Sequence, residues 1–219
     1  MPVPVICKIC GVRRARRDCP GVRGMICPIC CGTEREVSIS CPLDCAYLRE
    51  ARLHESKSRR DREDKAPPQP MPHPDVPLTE DFLEQHKDLL AFCGMLLLQA
   101  ALETPGAVDR DVVDALEALI RTQRTLESGL VYQTRAGDQV AAAIQTRMER
   151  ALEDYQRLRH EREGLAGYRT AEILGVLVFL LRLSSRVING RPRGRAFIEY
   201  LSQQMPIPEP PPEAGRIIL

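Results

Sequence analysis

The sequence feature that most constrains this chain is the clustering of cysteine near its start. Eight of the nine cysteines lie between Cys7 and Cys45. Two Cys-x-x-Cys pairs, Cys7/Cys10 and Cys27/Cys30, are separated by residues 11 to 26, a spacing typical of a tetrahedral site with four thiolate ligands. A segment of about 45 residues buries too little apolar surface to fold on its own core. The spacing therefore predicts a module that folds around bound zinc.

Eight cysteines suit two zinc sites, because each ion takes four ligands. One arrangement joins the two Cys-x-x-Cys pairs and leaves the other four cysteines for a second site. The alternative joins Cys27/Cys30 with Cys41/Cys45, as in treble-clef fingers, and a third leaves one zinc with spare thiols. Spacing favours the first arrangement. The predicted ligands are Cys7, Cys10, Cys19, Cys27, Cys30, Cys31, Cys41 and Cys45.

The redox environment expected from the sequence also favours metal over disulfides. The N-terminus lacks the basic and apolar regions of a secretory signal. The longest apolar run, Ile173 to Leu181, is shorter than the ~20 residues that cross a bilayer. We therefore expect a cytoplasmic protein with no membrane segment, where clustered thiols remain reduced. An iron-sulfur cluster also takes four thiolates, but two separate knuckles favour zinc.

The second half of the cysteine-rich module shows signals for one strand and one helix. Residues Glu34 to Ser40 alternate apolar and polar side chains, which predicts a short strand. Pro42 and Asp44 suit the first turn of a helix, so we expect a helix that opens at Cys41 and places Cys41 and Cys45 on one face. Residues 49 to 65 are mostly charged and predict a solvated continuation of this helix.

Proline density divides the chain into parts. Residues 66 to 77 contain six prolines, which predicts an extended linker and a domain boundary. We therefore expect a cysteine-rich module at 1–65, this linker, a helical domain at 78–204 and a proline-rich tail at 205–219. The absence of Trp and the low aromatic content leave Leu, Ala and Val to fill the core, which favours helices. The expected fold is mainly α, with a small zinc module and a bundle of four to five helices.

Apolar residues recur at three- and four-residue steps through the helical domain. One helix in it differs from the others because Ile173 to Leu181 is apolar on every side. Such a helix must be surrounded, so we expect it at the centre of the bundle or in a subunit interface. The predicted helices cover residues 79–100, 109–132, 138–162, 168–188 and 194–204.

Two groups of arginines are candidate contacts for anionic partners. Arg13, Arg14, Arg16 and Arg17 lie between the Cys-x-x-Cys pairs and are the candidate nucleic-acid-binding residues. Residues 1–65 carry fourteen basic and nine acidic residues, which gives an excess of positive charge. Eight thiolates with two zinc ions add negative charge that almost cancels this excess. No aromatic residue lies among these arginines to stack on bases. The second group suits a phosphate or an acidic partner and consists of Arg186, Arg191, Arg193 and Arg195.

No residue pattern in the chain indicates catalysis. A four-thiolate zinc shell has no open position for water. Cys93 lies on an apolar helix face, which is typical of a small core residue, and the four histidines lack nearby triad partners. We therefore expect a non-enzymatic protein-interaction or scaffolding module. Its partner is either another protein or a second copy bound through the helical domain, and nucleic-acid binding is the alternative.

One part of the cysteine-rich module resembles a known kind of domain. The stretch Cys-Pro-Ile-Cys-Cys-Gly-Thr-Glu-Arg-Glu at 27–36, followed by Cys-Pro-Leu-Asp-Cys-Ala-Tyr-Leu at 41–48, resembles a cysteine-rich head of uncharacterised bacterial proteins. The likeness covers about a fifth of the chain. It implies a bacterial origin and a zinc-type module, and no activity. The stretch is also similar to zinc ribbons and treble clefs, which contact nucleic acids and proteins alike.

Overall fold

The computed structural model of the chain describes residues 4–63, 70–163 and 166–205. Helices dominate these residues, and a small cysteine-rich head lies at the N-terminus, so the predicted mainly α fold is confirmed. The elements are β1 (Arg17–Cys19), β2 (Gly24–Ile26), α1 (Pro28–Glu34), α2 (Ala46–Glu63), α3 (Glu80–Gln85), α4 (Lys87–Glu103), α5 (Asp109–Glu127), α6 (Gln139–Glu163), α7 (Thr170–Val187) and α8 (Ala196–Gln204).

Two small antiparallel pairings organise the start of the head. Ile6 pairs with Arg14 in an isolated bridge. The next pairing joins β1 to β2, with Arg17 opposite Ile26 and Cys19 opposite Gly24. Neither pairing was predicted from the sequence, because each strand is too short to show alternation. Together they bring the first Cys-x-x-Cys pair and the start of α1 to one side of the head.

The predicted strand at 34–40 is wrong. Glu36 has a left-handed backbone conformation, with φ of 56°. The amides of Val37, Ser38 and Ile39 all donate to the carbonyl oxygen of Glu34, at 3.1 to 3.2 Å. The chain therefore reverses here, and residues 35–40 form what we call the docking turn. Alternation of side chains favoured a strand, but among the described residues of the head no neighbouring strand pairs with this segment.

The predicted start of the next helix at Cys41 is also wrong. The amide of Cys45 donates to the carbonyl oxygen of Pro42, and the amides of Leu48 and Arg49 donate to that of Cys45. Regular helix therefore begins only at Ala46. Cys41 lies outside the helix, so the two cysteines do not share a helix face.

The helical domain contains six helices in its described residues, one more than the upper number predicted. The first predicted helix is divided at His86 into α3 and α4. The second ends at Glu127 instead of residue 132, because Gly129 adopts a positive φ of 81°. The third, fourth and fifth predicted helices correspond to α6, α7 and α8 within a few residues.

Helix α7 lies at the centre of the bundle. It packs most extensively on α5, and α4 also contacts it, while α6 bridges α5 and α4 on the other side. Helix α8 packs against α4, α5 and α7. The core is aliphatic, as expected. The buried apolar residues of α7 are Ile173, Leu174, Val176, Leu177, Val178, Leu180 and Leu181.

The second half of the predicted proline linker lies against the bundle. The guanidinium of Arg182 donates to the carbonyl oxygens of Pro72, His73 and Val76, at 2.9, 2.6 and 2.9 Å. Residues 70–77 therefore form a turn fixed to α7. The predicted linker residues 66–69 and the predicted tail from residue 206 lie outside the described residues. Among the described helices, none combines the length and the apolar character that a membrane span requires.

Candidate metal centre

The sulfur atoms of one set of four cysteines converge in the head. All four lie within 4.8 Å of one another. A tetrahedral ion with sulfur ligands at about 2.3 Å places those sulfurs about 3.8 Å apart, so only a small contraction is needed to hold one. Three of the thiols are buried and one is half-buried. The set is the one that spacing favoured: Cys7, Cys10, Cys27 and Cys30.

Local backbone structure fixes each Cys-x-x-Cys pair. Gly11, with φ of 63°, closes the first pair by donating its amide to the carbonyl oxygen of Cys7 at 2.8 Å. Glycine adopts this conformation without steric cost. In the second pair Cys27 is the N-cap of α1, and its sulfur accepts the amide of Cys30 at 3.3 Å. Pro28 follows at the first helical position, where its missing N–H is no loss.

Two of the four thiols have pKa values that are shifted in opposite directions. Burial raises the pKa of Cys7, but amide donors from Cys10, Cys27 and Ile9 outweigh it and lower that pKa to about 6. Burial together with the neighbouring thiols raises the pKa of Cys30 to about 12. Four thiolates this close repel one another, and a divalent cation removes that repulsion. The cluster is therefore compatible with a bound cation.

The second set of four cysteines lines one cavity in the head. The cavity has room for about one water molecule. Within the described part of the chain these sulfurs do not form a group as tight as the first set. Burial raises the pKa of Cys41, a hydrogen bond from the backbone of Glu36 opposes this, and the charges of Glu36, Cys45 and Cys19 raise it further. The set consists of Cys19, Cys31, Cys41 and Cys45.

Two of the four candidate nucleic-acid-binding arginines contact cysteine sulfur. The guanidinium of Arg17 donates to the sulfur of Cys31 at 3.3 Å and lies 4.6 Å from the ring centre of Tyr47. A hydrogen bond to the sulfur of Cys27 raises the pKa of Arg13. Arg14 and Arg16 are exposed. The four arginines therefore have different roles, since Arg13 and Arg17 bind cysteine sulfurs whereas Arg14 and Arg16 face solvent.

The docking turn joins the head to the bundle through the buried carboxylate of Glu36, which is 1% exposed. This carboxylate accepts hydrogen bonds from the side chain of Asn189 at 2.8 Å and from the amide of Arg195 at 3.0 Å. It also pairs with the guanidinium of Arg52 at 2.5 Å. The carbonyl oxygen of Glu36 accepts the amide of Arg193 at 2.8 Å. Four groups from α2 and from the loop after α7 thus converge on one residue.

Two further arginines of that loop bind the head. Arg191 donates to the carbonyl oxygen of Arg35 at 2.6 Å and pairs with Glu55 of α2 at 2.9 Å. Arg193 donates to the hydroxyl of Ser40 at 2.7 Å. The second predicted basic patch therefore serves mainly as an internal contact, and the acidic groups that it meets belong to this same chain.

Sequence reasoning did not identify Glu36 or Arg52 as functional residues, and it assigned Arg17 to nucleic-acid binding instead of to the second cysteine set. Glu36 was assigned to the polar face of a strand, and two of its partners, Asn189 and Arg195, lie more than 150 positions away. The sequence signal that links Arg17 to the second cysteine set is its position two residues before Cys19. Cys93 is fully buried in the bundle, where burial raises its pKa to about 12, which agrees with its predicted place in the core.

Comparison of this chain with models of protein families, with curated proteins and with solved structures finds no match. The interpretation of the head therefore depends on the geometry of its cysteines.

Proposed function

We propose that this protein is a non-enzymatic, zinc-binding protein-interaction or scaffolding module. The observation that carries the proposal is the convergence of four cysteine sulfurs within 4.8 Å. Thiolate-only ligand sets suit zinc, and in a closed four-thiolate shell the metal stabilises the fold instead of activating water. The head would then serve as a rigid, metal-held surface seated on the bundle.

A second zinc ion is part of this proposal. The remaining four clustered cysteines line a single cavity, which supports a shared ligand. Arg17 donates a hydrogen bond to the sulfur of Cys31 in the same cavity, at 3.3 Å. Binding of one ion at this site requires its four sulfurs to lie closer together than they do in the structure.

The interaction surface is better placed on the head than on α7. The apolar residues of α7 are covered by α4, α5 and α8 of the same chain. The helix that suggested self-association from the sequence is therefore already surrounded. Nucleic-acid binding remains the second candidate, and the exposure of Arg14 and Arg16 is the observation that favours it.

Elemental analysis of the purified protein, prepared without added metal and under reducing conditions, tests the metal assignment. We expect about two zinc ions per chain, since each takes four thiolates. Cys30→Ser should remove one ion and Cys41→Ser the other, whereas Cys93→Ser, in the bundle core, should leave both in place. Absence of bound metal from the unaltered protein would refute the proposal. If the protein contains iron and inorganic sulfide instead of zinc, the proposal is wrong and the head is an iron-sulfur site.

A further inference from the structure

The head carries exposed aliphatic side chains around the first cysteine cluster. Val12 is 80% exposed, and Val5 and Ile29 are each 55% exposed. Every member of the group lies within two residues of a cysteine of this cluster. Those sulfurs lie within 4.8 Å of one another, so the backbone positions that carry these side chains flank one small cluster. We call this group the knuckle patch: Val5, Ile6, Ile9, Val12 and Ile29.

The knuckle patch is separate from the surface that binds the bundle. The contacts to the bundle come from the docking turn and from α2, through Arg35, Glu36, Arg52 and Glu55. Within the described residues, none of the patch residues takes part in these contacts between the head and the bundle. A group of aliphatic side chains held exposed on a rigid site is typical of a protein-binding surface.

The exposed charged side chains near the knuckle patch are mostly basic. Lys8, Arg13, Arg14 and Arg16 are exposed, and Arg14 is the cross-strand partner of Ile6. Between residues 4 and 31 the single acidic residue is Asp18. The surface therefore combines exposed aliphatic side chains with exposed basic ones. A complementary surface has apolar side chains flanked by carboxylates.

We propose that the knuckle patch binds an acidic amphipathic segment of another protein, with the aliphatic side chains as anchors and the arginines pairing with carboxylates. This inference rests on the proposed function and names its surface and partner. A second copy of the head fits less well as the partner, because both faces would carry the same exposed basic side chains. Nucleic acid fits less well, because the exposed side chains are aliphatic and provide no ring for bases to stack on.

The probe is a fluorescein-labelled synthetic peptide of Leu and Glu, about 15 residues long, the length at which a single helix becomes stable. Fluorescence anisotropy with the full-length, zinc-loaded protein should show saturable binding. Joint replacement by Val12→Ser and Ile29→Ser should weaken it at least tenfold, because two buried aliphatic anchors are lost. Leu130→Ser with Val131→Ser, which are exposed outside the head, is the matched control and should leave binding unchanged.

Three outcomes would overturn the inference. One is a zinc-loaded protein that does not bind the peptide. Another is equal binding of a peptide in which Ser replaces Leu, since charge alone would then explain the contact. The third is a duplex DNA that displaces the peptide and loses affinity in an Arg14→Ala, Arg16→Ala variant but not in the Val12→Ser, Ile29→Ser variant. Absence of zinc from the protein would instead refute the proposed function, and the two failures are therefore distinguishable.

Discussion

Glu36 is a buried carboxylate that receives hydrogen bonds from two separate parts of the chain. Its partners are Arg52 in the helix that follows the head, and Asn189 and Arg195 in the loop before α8. Arg52 also pairs with Glu199 of α8. A buried charge network of this kind stabilises a structure only while it is complete, because removing one member leaves another charge without compensation.

Replacement of Glu36 by Gln should therefore be strongly destabilising. The amide keeps hydrogen-bonding capacity but removes the charge that faces Arg52, a side chain only 13% exposed. We expect the free energy of unfolding to fall by about 3 kcal/mol, measured by denaturant titration of the zinc-loaded protein. Glu84→Gln is the control. It removes an exposed pair with Lys87 and should cost less than about 1 kcal/mol. Equal effects of the two variants would contradict the role given to Glu36.

At the scale of single elements, α8 depends on a carboxylate from another helix. Asp109, at the start of α5, is 2% exposed and accepts the amides of Phe197 at 3.1 Å and Ile198 at 3.2 Å. It therefore caps the N-terminus of α8. Burial raises the pKa of Asp109 to about 6, although these amide donors act in the opposite direction.

This raised pKa predicts how stability changes with pH. Between about pH 4 and 6 the folded protein holds a proton on Asp109 that the unfolded chain releases. The stability that Asp109 gains from this proton is therefore greatest at low pH, and it is lost as the pH rises through about 6. We expect the unaltered protein to lose about 1 kcal/mol between pH 5 and 7 relative to Asp109→Asn, whose amide cannot ionise. Parallel unfolding curves of both proteins measure this difference, and identical pH profiles would exclude the effect.

The elements also show what the sequence could and could not predict. The first cysteine set was predictable because each Cys-x-x-Cys pair is local in sequence. Its two-residue separation lets both sulfurs reach one metal ion. The aliphatic core and the central place of α7 followed from the run at 173–181. The docking turn was not predictable, because Glu36 adopts a positive φ only in combination with partners that lie far along the chain. The start of α2 was misplaced since Pro42 and Asp44 fit a turn as well as a first helical turn.

At the scale of the whole molecule, metal in the head should influence the bundle. The docking turn lies between Cys31 and Cys41, two of the proposed ligands of the second zinc ion. Metal at that site would fix both ends of the turn and hold Glu36 against Asn189. Loss of metal would free the ends and weaken the contacts that seat the loop before α8.

Removal of metal with a chelator under reducing conditions tests this coupling by hydrogen exchange. We expect faster exchange in residues 188–204, which cover that loop and α8, because their contacts with the head are lost. The amides of α6, which packs on α4 and α5, should exchange at an unchanged rate and serve as the internal control. Faster exchange confined to the head itself would show that the head and the bundle are energetically independent.

The distance along the chain between Glu36 and its partners has a consequence for biosynthesis. Asn189 follows Glu36 by 153 residues, which at a translation rate of about 5 to 20 residues per second takes roughly 8 to 30 seconds. During that interval the nascent head lacks its contacts with the bundle. Glu36 can pair with Arg52, but Asn189 and Arg195 have not yet been synthesised. Under the proposed function, metal bound by the head would stabilise it during that interval.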